Sequence, residues 1–537
     1  MQLRPYQTAA CSAIEQAWAA GQKKTLLVLP TGCGKTIVFS EVIQHRIARG
    51  GRALVLAHRE ELLTQAADKL RLVTGLSSAL EKAEFSAVGS DARVVVGSVQ
   101  SLARESRLAG YPGDYFDTVI VDEAHHALSD TYQRVLAHFD AADVLGVTAT
   151  PDRGDKRNLG TYFESIAYEY DLKSAITEHY LSPIRAQFIP LKLDISQAQV
   201  SHGDYTDSSL AAALRPYMGQ IADLMVEHCE GRHTVVFLPL VEMSRDFAQM
   251  LCERGLRARE VNGQSPDRAE ALADFAAGKY DVLTNALLLT EGWDCPIVDC
   301  IVMLRPTQSR ALYCQAVGRG TRLCEGKHEL LLLDFLWQTG RHALCHPAHL
   351  VARDDEVAAK VTEAVEAAEA QGGSLDILGA AQHAEQDIRE QRERKIRERL
   401  QKLSGRKART VDPLAFVLDT GDAAMADYEP VMAWEMRPAT DKQKAALEKW
   451  NITVTDDMTC GLASQIMSKL IERRDQNLAT PKQLHKLRQY HLPRVEEWTF
   501  SEAAQFMDWI AARRWIVPPG FVPENFLPPR LRGAGAA

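Results

Sequence analysis

The sequence predicts an α/β chain: two tandem domains, each a parallel sheet flanked by helices, followed by an α-helical C-terminal region. Three observations carry this expectation. Short apolar runs such as Leu26 to Leu29 and Ala53 to Ala57 alternate with stretches whose apolar residues recur at helical spacing, as for strands buried on both faces of a parallel sheet. Several of the runs end in polar residues, at the strand edge where open α/β sheets bind ligands. Beyond residue 345 the runs stop, and the sequence turns charged, alanine-rich and internally repetitive. The expected divisions are a first domain at 1–170, a second at 171–345, a charged helical arm at 346–430, a helical repeat module at 431–515 and a disordered tail at 516–537.

The first domain is organised around Thr25-Leu-Leu-Val-Leu-Pro-Thr-Gly-Cys-Gly-Lys-Thr36. Its apolar run stops at Pro30, and Ile37, Val38, Val42 and Ile43 then recur as on a helix. Gly32 and Gly34 let the loop Thr31-Gly32-Cys33-Gly34 curl so that backbone N–H groups face inward, and the following helix adds its positive dipole end. That cradle suits ATP: Lys35 would reach the β- and γ-phosphates, and the Thr36 hydroxyl would take a position on Mg²⁺. Leu29 stands where the strict motif has a glycine, so the reading rests on Gly-Lys-Thr lying between a strand and a helix.

Composition bounds the partners. The chain has 537 residues, 46% hydrophobic and 25% charged, which is a globular balance with room for several cores. A net charge of −9 gives no global basic field, so nucleic-acid binding must rest on local basic surface. The ten cysteines form no C-x-x-C pair and the histidines do not cluster, so neither a disulfide framework nor a zinc site is expected. The N-terminal residues lack an apolar signal core and no run is long enough to span a bilayer. A cytoplasmic protein without a membrane partner is expected.

In chain order, Gln7 precedes a helix over Ala9 to Ala20, and Ala53 to Ala57 leads into His58-Arg59. Val94 to Val96 leads into Gly97-Ser98-Val-Gln100. The run Asp117 to Val121 passes straight into Asp122-Glu123-Ala-His125. Two adjacent carboxylates after a strand suit a Mg²⁺-nucleotide: Asp122 would hold the ion through water, and Glu123 would position and deprotonate the attacking water. Val144 to Val147 ends in Thr148-Ala-Thr150. After Tyr180-Leu-Ser-Pro183 come strands at Thr234 to Leu238, Asp281 to Leu283, Ile301 to Leu304 and Glu329 to Asp334, with no second Gly-Lys-Thr. The motif-like pieces here are Thr284-Asn-Ala-Leu-Leu-Leu-Thr-Glu-Gly-Trp-Asp294 and Gln315-Ala-Val-Gly-Arg-Gly-Thr-Arg322. Lys35 alone leaves transition-state charge unneutralised, so Arg319 and Arg322 read as arginine fingers rather than as a solvated basic face.

Through about residue 340 the chain resembles superfamily 2 nucleic-acid helicases of the DEAH-box type, close to restriction-enzyme Res subunits and related to bacterial RadD-type helicases. The resemblance implies two RecA-like domains with ATP between them. It implies that Gln7 reads the adenine edge, that His125, Thr148 and Thr150 couple the ATP site to nucleic acid, and that Gly292 and Asp294 lie near the nucleotide. It also implies that Gln315 helps to place the water. Arg59, Ser98, Gln100, Thr284 and Thr290 fall in motifs that, in the family, hold backbone phosphates of one strand. The expected activity is ATP-dependent translocation or unwinding on DNA, single-stranded or duplex. The alternatives are an RNA-dependent ATPase and a non-unwinding, ATP-gated motor subunit of a repair or restriction complex.

The C-terminal third holds a repeat. Ala439-Thr-Asp-Lys-Gln with Leu447, Trp450 and Ile452 returns 40 residues on as Ala479-Thr-Pro-Lys-Gln with Leu487, Tyr490 and Leu492. Thr440 and Thr480 should cap a first helix in each copy, and Thr459 and Thr499 a second that ends in Arg473-Arg474 or Arg513-Arg514. Each hairpin is too small to bury a core alone, so the two should pack together, as a cap on the motor or as an adaptor for DNA or a protein partner. Before them, residues 354 to 370 should form an acidic helix broken at Gln371-Gly-Gly-Ser374, and residues 385 to 409 a charged helical arm with ten Lys or Arg against five Asp or Glu.

Overall fold

The computed structural model describes residues 2–58, 60–83, 85–149, 158–189, 199–201, 204–286, 288–290, 293–335, 345, 347–352, 355–369, 375–403, 411, 413–420, 428, 430, 432–455 and 458–532. The chain divides into two compact units, Met1–Glu385 and Gln386–Ala537.

The first unit holds two seven-stranded sheets. Strands β1 (Lys24–Val28), β2 (Ala53–Ala57), β3 (Ala79–Glu81), β4 (Val94–Ser98), β5 (Thr118–Asp122), β6 (Asp143–Thr148) and β7 (Ser165–Glu169) line up as β3-β4-β2-β5-β6-β1-β7. Every neighbouring pair is parallel. The interior strands β1, β2 and β5 read as unbroken apolar runs because both faces are covered: Leu26, Leu27, Leu54, Leu56, Val119, Ile120 and Val121 are all fully buried. The helix Lys35–Ala48 buries Val38, Val42 and Ile43 of the expected stripe together with Phe39 and Ile47, while Ile37 is half-buried. The N-terminal helix runs Pro5–Ala19, four residues earlier than expected, because Pro5 serves as its first helical residue and Gln7 closes a capping box.

The second sheet consists of β8 (Ile184–Phe188), β11 (Thr234–Phe237), β12 (Ala258–Glu260), β13 (Val282–Asn285), β14 (Cys300–Met303), β15 (Leu330–Asp334) and β16 (Leu375–Asp376), ordered β12-β13-β11-β14-β15-β8-β16. A small antiparallel pair, β9 (Val200–Ser201) and β10 (Asp204–Tyr205), stands apart. All of the second sheet is parallel except β16, which pairs antiparallel with β8. This edge strand lies past residue 345, so the second domain extends further than the sequence reading placed its end. The expected acidic helix forms at Asp355–Glu369 and belongs to the same unit, burying Val357, Ala358 and Val361. The break at 371–374 lies outside the described residues. The charged helix runs Ile377–Leu403, and residues 404–409 of the expected arm lie outside the described residues.

In the second unit the repeat forms as expected. Helices Asp441–Lys449 and Cys460–Asp475 of the first copy answer to Pro481–Gln489 and Phe500–Ala511 of the second. Thr440, Thr459, Thr480 and Thr499 each accept a backbone N–H at the N-cap. One core joins the copies, with Leu447, Ile466 and Leu470 beside Leu484, Leu487, Trp498 and Phe506. The helix Pro413–Thr420 adds Phe416 and Val417 to it. The tail corrects the sequence reading. Phe521, Phe526, Leu527 and Leu531 pack on this core, and Arg530 pairs with Glu502 at 2.8 Å, so residues up to 532 are structured. Proline-rich composition signalled disorder, but Pro523 and Pro529 open short 3₁₀ turns between apolar anchors.

Candidate nucleotide site

The loop after β1 takes the expected form. Gly32 and Gly34 have φ of 91° and 79°, a left-handed backbone that glycine adopts without strain, and the helix begins at Lys35. At Gly34 a side chain would also collide with Gln7, since an added Cβ would lie 2.7 Å from Gln7 Nε2. Gln7 donates to the Cys33 carbonyl at 3.1 Å, and Tyr6 OH donates to the same carbonyl at 2.9 Å. Tyr6 stacks on Tyr170 with ring centroids 4.6 Å apart and meets Tyr180 edge-on at 4.9 Å. These tyrosines buttress the loop, and burial pushes the Tyr6 hydroxyl up to about 12. Sequence reading missed all three; the only signal was Tyr6 beside Gln7.

Asp122 ends β5, and its Oδ1 accepts the Glu123 N–H at 3.1 Å. Glu123 has φ 54°, an uncommon left-handed conformation for a non-glycine residue, and its side chain is buried among polar groups. Lys35 Nζ lies 3.2 Å from Glu123 Oε1. Gln315 Nε2 donates to Oε2 at 3.3 Å, and His125 Nδ1 is 3.6 Å from the same oxygen. Gln315 comes from the second domain, on helix Arg310–Val317, so the carboxylate joins both domains. The domains also meet at Gly318, where an added Cβ would lie 2.6 Å from Thr31 Cβ.

Arg319 is buried and donates to the Trp293 carbonyl at 2.6 Å. Arg322 Nε pairs with Asp294 Oδ1 at 2.7 Å, and Lys69 of the first domain is 3.9 Å from Asp294 Oδ2. Burial holds the Arg322 guanidinium below its ordinary value. Arg322 also flanks the phosphate loop, with its Cγ 3.5 Å from the Cβ position of Gly32. Thus Thr31, Gly32, Lys35, Glu123, Gln315, Gly318 and Arg322 meet along one interdomain seam, with Cys33, Gly34, Thr36 and Asp122 adjoining it on the first domain's side and Arg319 on the second's. The donor set fits a Mg²⁺-polyphosphate: a glycine loop opening into a helix N-terminus, a hydroxyl at Thr36, a carboxylate at Asp122 and three cations. Gly292 and Thr150 lie outside the described residues.

Two family models match the chain, one described as type III restriction enzyme, res subunit, over residues 1–153, and one as helicase conserved C-terminal domain, over residues 218–324. Residues 1–153 and 218–324 thus match the two halves of a superfamily 2 helicase core of Res-subunit type. Among its relatives, a Schizosaccharomyces pombe protein named as a mitochondrial ATP-dependent helicase, irc3, is 34% identical over 349 residues, 62% of this chain and 57% of that protein. Saccharomyces cerevisiae IRC3, also named as an ATP-dependent helicase, is 29% identical over 378 residues, 66% of this chain and 54% of its own. The chain therefore spans little more than half the length of these relatives. Among solved structures, a fragment of an HsdR subunit of a type I restriction enzyme from Vibrio vulnificus YJ016 superposes with TM-score 0.51 at 25% identity, covering 63% of this chain and 64% of that one. Among the described residues, no helix of the helicase core or of the repeat module is long and apolar enough to cross a membrane.

Within the helicase core the residues expected at nucleic acid divide. Ser98 and Gln100 lie at the C-terminal end of β4, where Ser98 Oγ bonds Gln100 Oε1 at 2.8 Å and Gln100 Nε2 donates to the His58 carbonyl at 3.1 Å. They form an exposed polar edge. Thr284 is fully buried within β13, and its hydroxyl donates to the Ser244 carbonyl at 2.9 Å, so in this structure it ties the strand to a helix. The strand is one residue longer than the apolar run suggested, which draws Thr284 inside the sheet. Thr148 is buried at the end of β6, where its carbonyl accepts the Leu29 N–H at 3.1 Å, a direct backbone link to the run entering the phosphate loop. Arg59 lies outside the described residues, and of Thr290 only the backbone is described, in a short 3₁₀ turn.

Proposed function

We propose that this helicase core is an ATP-driven translocase on DNA. The observation that carries the reading is Glu123, held in one set by Lys35 of the phosphate loop, His125 and the second domain's Gln315. Glu123 acts as general base toward the attacking water, and Gln315 orients both only when the two domains are together. Lys35 neutralises phosphate charge in the ground state. Arg319 and Arg322 neutralise charge that develops in the transition state, for which Arg322 exchanges its Asp294 partner for phosphate. Bound Mg²⁺ would spread charge off the phosphate oxygens, and Thr36 and Asp122 are the residues that would hold it. Because hydrolysis depends on residues from both domains, turnover is coupled to domain closure, and Ser98 and Gln100 at the first sheet's edge are placed to grip one strand through the cycle. The test is ATP turnover by the purified chain with single-stranded DNA, duplex DNA and RNA, followed by strand displacement. Stimulation by DNA supports the proposal. Stimulation by RNA alone gives the RNA-dependent ATPase, and DNA stimulation without displacement gives the motor-subunit reading that likeness to restriction subunits favours.

A further inference from the structure

The loop that carries Arg319 and Arg322 is held by its backbone. Lys327 Nζ donates to the carbonyls of Val298 at 2.6 Å and Arg322 at 2.8 Å, and also to that of Gly320. Ser182, on the segment joining the two domains, takes the carbonyl between: its N–H donates to Thr321 O at 2.6 Å and its hydroxyl to Arg322 O at 3.1 Å. Three consecutive carbonyls of the arginine loop are thereby fixed. Arg322 lies on this stretch and Arg319 directly precedes it, and Gly318, one residue earlier, packs against Thr31 of the phosphate loop.

An ammonium has three N–H donors and meets three carbonyls here; a neutral amine has two and leaves one carbonyl unpaired. Among the described residues Lys327 makes no ion pair, so its charge serves these carbonyls. Resting on the ATP-turnover reading above, we propose that Lys327 is the positioning residue of the arginine loop, setting the backbone from which Arg319 and Arg322 reach the transition state. Nothing in the sequence alone marked it.

The geometry gives this role a pH dependence. Burial pushes Lys327 down to about 8, with Asp299, Cys295, Cys324 and Arg322 as the titratable and charged groups around it. Turnover by the wild-type chain should fall as pH rises through about 8 while KM for ATP stays level. The sign for stability is opposite: a lysine whose folded value lies below its unfolded value favours the folded state more as pH rises between the two. A fall in turnover without a fall in melting temperature therefore separates positioning from unfolding.

The experiment measures kcat and KM for ATP from pH 6.5 to 9.5 in the wild type, Lys327→Met and Lys327→Arg, with melting temperatures alongside. Lys327→Met should lose about tenfold or more in kcat at neutral pH with KM within about twofold, as misplaced catalytic groups do. Lys327→Arg keeps a charge that does not titrate in this range, so it should recover part of kcat and lack the alkaline fall. Variants that match the wild type at every pH, or that keep its alkaline fall, would overturn the assignment. So would a wild-type profile flat to pH 9.5, which needs no variant to fold. A wild type without turnover would overturn the functional reading and this assignment with it.

Discussion

At the scale of single residues, Glu123 shows how the site stores its chemistry. A left-handed φ on a glutamate costs of order 1 kcal/mol and persists only where surroundings enforce it, and here Lys35, Gln315 and His125 all hold the carboxylate. Lys35→Ala should abolish turnover and weaken ATP binding, because phosphate charge loses its counter-ion. Glu123→Gln keeps Lys35 and the phosphate loop, so ATP should still bind while turnover falls; equal loss of ATP affinity in both, by equilibrium titration, would refute the division of roles. Arg319→Ala and Arg322→Ala should each cost about 10³-fold in turnover with little change in ATP affinity, as loss of an arginine finger does. Lys35, Glu123, Gln315 and the arginine pair were legible because their types and order along the chain are distinctive. Tyr6, Ser182 and Lys327 were not, because their work is done on backbone carbonyls, and any sequence has a carbonyl at every position.

Elements were more legible than side-chain contacts. Buried parallel strands announce themselves as apolar runs, and the nine strand runs read from sequence are all strands within a residue or two of their expected ends. Strands β3, β7, β8, β12 and β16 escaped notice because edge or mixed-exposure strands carry no continuous apolar run: β7 is largely half-buried and β16 has two residues. In the repeat, the threonine caps were visible because capping chemistry is local. Thr480→Ala should destabilise the second unit by about 1 kcal/mol, measured by denaturant unfolding, as N-cap removal generally does. The arginine pairs were less transparent. Arg473 is buried and donates to the Ala479 carbonyl at 3.2 and 3.0 Å and to the Glu496 carbonyl at 3.0 Å, so it knits the copies together. Arg474 is exposed beside Asp475. Arg473→Leu should therefore cost about 1–3 kcal/mol by stranding two buried carbonyls, whereas Arg474→Ala should cost under about 0.5 kcal/mol. Similar costs for the two would remove Arg473 from this role.

At the scale of the whole molecule, charge and core both separate the motor from the module. Residues 431–537 carry fifteen Lys or Arg against twelve Asp or Glu, a net +3 in a chain of net −9. Among the described residues the module's core draws on residues from Val411 to Leu531, and the motor's second sheet closes with β16 at Leu375–Asp376. A chain of residues 1–403 keeps both sheets and every residue of the nucleotide seam, so it should fold and retain basal ATP turnover. If the module is an adaptor for DNA, the loss should appear elsewhere, as weaker DNA affinity and weaker stimulation of turnover. Counterion release makes that loss largest at low salt, so the full and shortened chains should converge in affinity as salt is raised. Binding isotherms for both chains over a series of salt concentrations decide it. Parallel, equal salt slopes would show that the module touches no phosphates and would leave it a stabilising or protein-binding role.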